Sequence, residues 1–409
     1  MQNDTESKLL RTAEHSVRQC ERCGTCITVC PLYNNVKDVE AVGPRGKNML
    51  CRALAQGGLK STTEVLNAVN FCLLCGTCVE NCPSKIKTDR AMMDIREYLA
   101  SQRGGPGIKY SVLGGVMKRR SLVKLGAGAL SIVRKLGLHN VVPYGMAPKA
   151  YKRSHLLESF AGPNIHGSKI ETVHIPVATT SKVAYFRGCG MEMMFPEAAA
   201  DTRKILATIS SPIIKENVCC GLPHLAHGLR NDFIELAKSN IAIYEEVEIV
   251  VTDCASCSST LKHIADYFIE DPEWGPRAAA FSQKIMDISE YLVKVGYSPQ
   301  KKIDATLTYH DPCHSVRGQG IKNQPRQLLK KAGNFVEMKE ADMCCGGAGS
   351  FHMDYPKAAA EVLKRKQENI EKTKADIVVT SCPVCLVQLN KAAKASGDKF
   401  KAVHISQII

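Results

Sequence analysis

Eighteen of the nineteen cysteines in this 409-residue chain fall into repeated spacings that can bring several thiolates onto one metal centre. Cys20, Cys23, Cys26 and Cys30, the last followed by Pro31, recur in the same steps as Cys72, Cys75, Cys78 and Cys82, followed by Pro83. Further along, Cys189, Cys219, Cys220, Cys254 and Cys257 recur as Cys313, Cys344, Cys345, Cys382 and Cys385. The thiolate is the ligating form of cysteine and selects soft ions and iron–sulfur cores. In a secreted chain so many cysteines would suggest disulfides. Residues 1–10 are polar, however, without the apolar stretch of a leader, so a reducing compartment with thiols kept for metal is expected. Paired Cys-x-x-Cys units also build zinc sites. A third cysteine at the same step and a fourth before proline, both occurring twice, point instead to iron–sulfur cores, with Gly24 and Gly76 letting the backbone wrap closely around them.

The two N-terminal runs resemble those of bacterial two-cluster ferredoxins, in which three close thiolates clamp one [4Fe–4S] cube and the fourth crosses to the other. The resemblance implies two cubane clusters, one on Cys20, Cys23, Cys26 and Cys82 and the other on Cys72, Cys75, Cys78 and Cys30. Residues 1–100 are thus expected to form an α+β ferredoxin-like twin-cluster domain. Pro44-Arg45-Gly46-Lys47 follows Gly43 as a turn signal, and 48–56 has helical composition. Cys51 lies in that helix outside both runs and reads as a small buried hydrophobe.

The later cysteines lie in an internal repeat. Residues 248–257 align with 376–385 at an offset of 128, Cys219-Cys220-Gly221 with Cys344-Cys345-Gly346 at 125, and Cys189 with Cys313 at 124. Asp287-Ile288-Ser289 matches His404-Ile405-Ser406 as a last recurring strand. Such self-similarity marks two copies of one domain, expected at 181–300 and 301–409. Short apolar runs at 182–186, 249–252, 306–309 and 377–380 read as strands, and 232–247 and 356–373 as helices. The alternation implies α/β units with parallel strands, whose carboxyl ends deliver the cysteines. Five thiols exceed the needs of tetrahedral zinc, and adjacent cysteines cannot easily ligate one small ion, whereas an iron–sulfur core could use all five. Zinc on four of the five in one repeat, or a Cys-x-x-Cys pair exchanging disulfides, are the alternatives. His224, His227, His310, His314 and His352 crowd these motifs, as proton relays, as donors to the centres, or as ordinary loop residues.

This arrangement resembles the tandem cysteine-rich CCG domains of heterodisulfide reductases and of the iron–sulfur subunits of glycolate oxidase, lactate dehydrogenase and anaerobic glycerol-3-phosphate dehydrogenase. Cys30-Pro31-Leu32-Tyr33 running to Pro44-Arg45-Gly46-Lys47 looks most like the glycolate oxidase and lactate dehydrogenase branch. The resemblance implies a noncubane [4Fe–4S] cluster on the five cysteines of each repeat. In the hydroxy-acid branch the first repeat often has a degraded Cys-x-x-Cys, whereas Cys254 and Cys257 are both present here, which moves the sites towards the heterodisulfide reductase type.

The formal net charge is +14. A loaded [4Fe–4S] core with four thiolates carries about −2, so filled centres pull this towards zero and nucleic acid is not an expected partner. Eleven Lys or Arg and no Asp or Glu lie in residues 103–153, within an expected linker at 101–180. Apolar and basic residues alternate over 112–138, as in a basic amphipathic helix that lies on anionic lipid or docks an acidic partner, or that packs its apolar face on its own domains. Residues 144–172 read as a crossing loop. No Gly-x-Gly-x-x-Gly or Walker loop follows a strand, and Gly126-Ala127-Gly128 lacks both the strand and the third glycine. Oxidising a hydroxy acid removes a hydride equivalent, which needs an organic cofactor such as flavin. The family therefore implies an FAD-binding dehydrogenase subunit as partner, and a quinone or another electron acceptor. It places the complex in the cytoplasm, with peripheral contact at the inner face of the cell membrane. The alternative makes this chain the catalyst, reducing a disulfide or quinone at Cys313, Cys344, Cys345, Cys382 and Cys385. A metal-binding regulatory module is weaker, because a sensor needs only one centre.

Overall fold

The computed structural model describes residues 2–123, 125–126, 182–299 and 302–409. They pack into two compact units, each assembled from separated segments. Met1–Val116, Gly221–Ile234 and Gly346–Val362 form one; Met117–Cys220, Glu235–Cys345 and Leu363–Ile409 form the other.

The first unit is built on amphipathic helices. Gln2–Val17 buries Leu9, Ala13 and Val17 at helical spacing, and Thr88–Ser101 buries Ala91, Met92, Ile95 and Leu99. Pro44–Ala55 starts with proline at its first position and buries Cys51 and Leu54 in the same core. Cys51 is a fully buried hydrophobe there, its thiol pushed up chiefly by burial. Sequence alone suggests α+β for this domain. Its described residues form helices, loops and single turns without a strand, and the strands of the described chain lie in the repeats. The cause is local: between the helices, each cysteine run occupies a loop and one helical turn, too tightly wound to extend. The stretches after each Cys-Cys pair also belong to this unit. Arg230 pairs with Asp94 at 2.6 Å and with Glu97, and the Phe71 ring meets Tyr355 edge-on at 5.0 Å.

The second unit holds the strands and the remainder of both repeats. Strands β1 (Val183–Tyr185), β2 (Ile213–Ile214), β3 (Ile249–Thr252) and β4 (Ile285–Asp287) form a sheet in the order β2-β1-β3-β4. Strands β5 (Ile303–Tyr309), β6 (Gly333–Phe335), β7 (Ile377–Thr380) and β8 (Lys401–His404) form its counterpart, β6-β5-β7-β8. All six pairings are parallel. Every residue of β7 and all but the first of β3 are buried, because helices cover both faces of such sheets. β4 and β8 end earlier than the matched triplets suggest: Asp287 and His404 each cap a helical turn, accepting from Ser289 N–H and Ser406 N–H. One hydrophobic core, including Tyr185, Val251, Ile288, Tyr309, Val379 and Ile405, runs through both copies.

Of the basic stretch, Ile108–Lys118 forms a helix. Lys109 pairs with Asp354, Lys118 with Glu235 at 2.6 Å, and Arg120 with Glu192. Lys124, Arg134, Lys135, Lys149, Lys152, Arg153 and the expected loop at 144–172 lie outside the described residues. Among the described residues no helix is long and apolar enough to cross a membrane.

Candidate metal centres

The two N-terminal runs fold as copies. In each, the second residue after the first cysteine has a left-handed backbone (Arg22 φ 57°, Leu74 φ 51°), followed two residues later by a glycine (Gly24 φ 88°, Gly76 φ 69°). This alternation curls the loop, and a one-turn helix, Thr25–Thr28 or Thr77–Glu80, then returns the third cysteine. Cys30 caps the helix Pro31–Asn35.

One cavity of the first unit is lined by Cys20, Cys23, Cys26 and Cys82, together with Cys78 of the second run, Arg45 and Asn48. Cys26 is pushed up to about 11, by burial first and then by Cys20, Cys82 and Cys23. Cys30 is likewise raised to about 11, by burial and by the charges of Cys75 and Cys72. Cys78 is raised by burial and by Cys75, Cys72 and Cys30. The thiols therefore gather crosswise, three from one run with the last of the other. Donors surround the sulfurs: Asn48 Nδ2 lies 3.5 Å from Cys20 Sγ, and the Ile86 N–H 3.5 Å from Cys82 Sγ. Thr25 Oγ1 is 3.4 Å from Cys23 Sγ, and Thr77 Oγ1 3.3 Å from Cys75 Sγ. Two sets of four soft donors, with hydrogen bonds to sulfur, fit [4Fe–4S] cores. Reasoning from spacing alone misses these threonines, although Cys-Gly-Thr-Cys stands in both runs.

Two buried cations lie near the second set. Lys47 is 2% exposed and donates to the carbonyls of Val42 and Ala41. Arg96 is 8% exposed and donates to the carbonyls of Cys72 at 2.9 Å, Asn70 at 3.1 Å, Ala226 at 3.2 Å and Val69 at 3.3 Å.

In the repeats every cysteine sits beyond the carboxyl end of a strand, as expected for a ligand site in a parallel sheet. Cys189 and Cys313 open short helices after β1 and β5, and Cys254 and Cys382 cap the helices after β3 and β7. The glycine after each adjacent pair is sterically required. Gly221 (φ 88°) and Gly346 (φ 78°) have left-handed backbones, and a Cβ would strike Phe233 in one and Ala359 O in the other.

In the first repeat Cys189 Sγ and Cys219 Sγ are 3.5 Å apart, and Cys220 is lowered to about 6, first by a hydrogen bond from Cys219 and then by one from Cys257. Cys254 bonds to Cys257, so all five thiols are linked. In the second, Cys345 Sγ and Cys385 Sγ are 3.2 Å apart. Cys345 is held well below the ordinary thiol range by hydrogen bonds from Cys344 and Cys385, and after these by the neighbouring His310. Cys382 joins through Cys385, while Cys313 is half-buried at its helix start. The clustered thiols suit a polynuclear thiophilic core. The two cysteine loops also touch: Ala255 N–H donates to Ser381 O at 2.9 Å, and Ser256 Oγ lies 3.4 Å from Cys382 Sγ and 3.1 Å from His314 Nδ1.

The five histidines beside the cysteine motifs separate. His224 contacts Gly114 O at 3.1 Å, His227 contacts Ser350 Oγ at 3.0 Å and stacks on Tyr110, and His352 contacts Gly347 O at 3.2 Å. His310 alone of the five is grouped with two thiols of its repeat.

The 4Fe-4S dicluster domain family matches residues 16–86, and the cysteine-rich CCG domain matches 183–262 and 307–390. A fumarate reductase (CoM/CoB) subunit of Methanothermobacter marburgensis is 25% identical over 96% of this chain and 72% of its own. The lactate utilization protein A of Oceanobacillus iheyensis is 30% identical over 56% of this chain and 96% of its own. The probable glycolate oxidase iron-sulfur subunit of Bacillus subtilis is 31% identical over 98% of this chain and 94% of its own. With that likeness along nearly its whole length, the chain belongs to the family of glycolate oxidase-type iron–sulfur subunits.

Proposed function

We propose that this chain is the electron-transfer subunit of a flavin-dependent 2-hydroxy-acid dehydrogenase complex, with lactate or glycolate as the substrate class. The observation that carries the reading is the serial arrangement of four thiol groups, two of four and two of five cysteines, in one chain. Cys20, Cys23, Cys26 and Cys82 would hold one cubane, and Cys72, Cys75, Cys78 and Cys30 the other. Cys189, Cys219, Cys220, Cys254 and Cys257, and then Cys313, Cys344, Cys345, Cys382 and Cys385, would hold a noncubane core each. Such cores supply one-electron transfer. The chain's own residues hold them in order, donate to their sulfurs and keep water away from the buried thiols of the repeats. A partner FAD subunit supplies the electrons, and a quinone or another acceptor removes them. The basic stretch, whose helix leaves Ile108 and Val112 exposed, is the proposed contact with the cytoplasmic face of the membrane.

A second reading, reduction of a disulfide or quinone at the second repeat, is favoured by the complete thiol sets of both repeats and by the fumarate reductase (CoM/CoB) relative. Metal content and EPR of the anaerobically purified chain test the centres. About sixteen iron per chain, with a signal in the oxidised state, supports four centres. About eight iron with zinc restricts conduction to the N-terminal domain and overturns the assignment of the repeats. Co-purification of an FAD protein that reduces these centres with lactate or glycolate tests the partner, and failure of both substrates to reduce them overturns it.

A further inference from the structure

The two repeats are copies, yet one position beside the thiols differs in chemistry. Phe186 and His310 occupy the same place, immediately after the last residue of β1 and of β5. Phe186 N–H donates to Val251 O at 2.8 Å, and His310 N–H to Val379 O at 2.9 Å, so the equivalence is one of structure as well as sequence. His310 is fully buried, and its ring leans on the thiol of Cys345 and meets no nitrogen or oxygen partner. One ring nitrogen and the sulfurs of Cys345 and Cys385 all lie within 4.8 Å of one another.

A buried imidazole whose polar surroundings are thiols alone leaves one ring nitrogen to be satisfied by a further contact. The neutral ring carries one N–H and one lone pair. Thiols could meet a lone pair with their S–H, but metal binding removes those protons. Once the site is loaded, a ring nitrogen facing these sulfurs can donate its N–H to a thiolate or, in the other tautomer, give its lone pair to a metal. We propose that His310 is a nitrogen ligand of the iron–sulfur centre in the second repeat, joining Cys345 and Cys385. The first repeat has no counterpart, because Phe186 offers no donor. The two centres are thus chemically different, one ligated by thiolate alone and the other by thiolate and imidazole, as nitrogen ligation distinguishes cluster classes elsewhere. The inference rests on the reading that the second repeat holds iron, and it names a ligand within that site.

The test uses the full chain, purified anaerobically with natural and with ¹⁵N-labelled histidine, and analysed for iron and by pulsed EPR. A histidine nitrogen coupling of direct-ligand size on one iron–sulfur signal, changed by the isotope and lost in His310→Phe, is expected. Phenylalanine is chosen because the first repeat accommodates it at the same place. His310→Cys, which keeps a ligand while changing its element, is expected to retain iron without the nitrogen coupling; it also covers the case in which His310→Phe fails to fold. Full iron with no such coupling, or a coupling unchanged in His310→Phe, overturns the ligand while leaving the cluster in place. Absence of iron from the repeats overturns the underlying reading and the ligand with it.

Discussion

Replacing Arg96 by glutamine tests whether its buried charge controls the centre at Cys72, Cys75, Cys78 and Cys30. The guanidinium donates to the Cys72 carbonyl at 2.9 Å, which places it roughly 7 Å from a cluster held by that cysteine's sulfur. At that separation and an effective dielectric constant of about 20, one unit charge contributes about 2.4 kcal/mol. For one-electron reduction this corresponds to ~100 mV. Reduction adds negative charge, so losing the cation lowers the midpoint potential. Arg96→Lys keeps the charge and should move the potential by less than about 30 mV, although it loses the forked donation to the carbonyls of Val69, Asn70 and Cys72. The assay is an anaerobic redox titration followed by EPR, with the centre at Cys20, Cys23, Cys26 and Cys82 as internal control. A shift below about 20 mV in Arg96→Gln with unchanged iron content, or an equal shift of both centres, refutes the electrostatic argument.

Arg230→Ala should lower stability by about 2–3 kcal/mol at neutral pH in urea unfolding, because Asp94 and Glu97 lose a shared partner that is itself 28% exposed. Burial already raises both carboxyls above their ordinary values of 3.8 and 4.5 despite Arg230. The folded state therefore binds protons more tightly than the unfolded one, and these groups contribute most stability at low pH and lose it as pH rises through the folded values. Without Arg230 the folded values rise further, so the penalty should be larger at pH 8 than at pH 5; a penalty that grows on acidification contradicts the assignment. Gly46→Ala should cost more than about 3 kcal/mol and abolish iron loading at 37 °C, since its Cβ would overlap Glu40 O in the turn against which Pro44–Ala55 packs. Normal iron content and thermal stability in that variant would show that the turn can move.

Spacing alone makes the thiol sets legible, because ligation by a short loop fixes the steps between cysteines. The strands Ile249–Thr252 and Ile377–Thr380 are equally plain, being uninterrupted β-branched runs. Three features are not legible. The N-terminal domain lacks strands among its described residues because its cysteine loops obey ligand geometry and carry no hydrophobic period. The assignment of 221–234 and 346–362 to the N-terminal unit depends on long-range partners such as Arg230 with Asp94, which no local pattern encodes. The separation of His310 from His314, four residues on, depends on the fold: one faces Cys345 and Cys385, and the other contacts Ser256 of the preceding repeat.

The shared core limits what the repeats can do independently. Tyr185 donates to Asp253 at 2.7 Å, and its equivalent Tyr309 meets Ser381 at 3.1 Å, so each first strand is pinned to the residue just before its Cys-x-x-Cys. His404, where the first copy has Asp287, reaches across to Asp253 O at 2.8 Å and ties the end of β8 to the loop that carries Cys254. Ala255 N–H to Ser381 O closes the same junction from the other direction. Moving one cysteine loop against the other would break these buried hydrogen bonds, each worth about 0.5–1.5 kcal/mol, and open the common apolar core. The spacing between the two five-thiol groups is therefore set by the fold. A fixed short separation suits centres that exchange electrons, whereas a site that opened to admit a bulky substrate between the repeats would first have to break that junction.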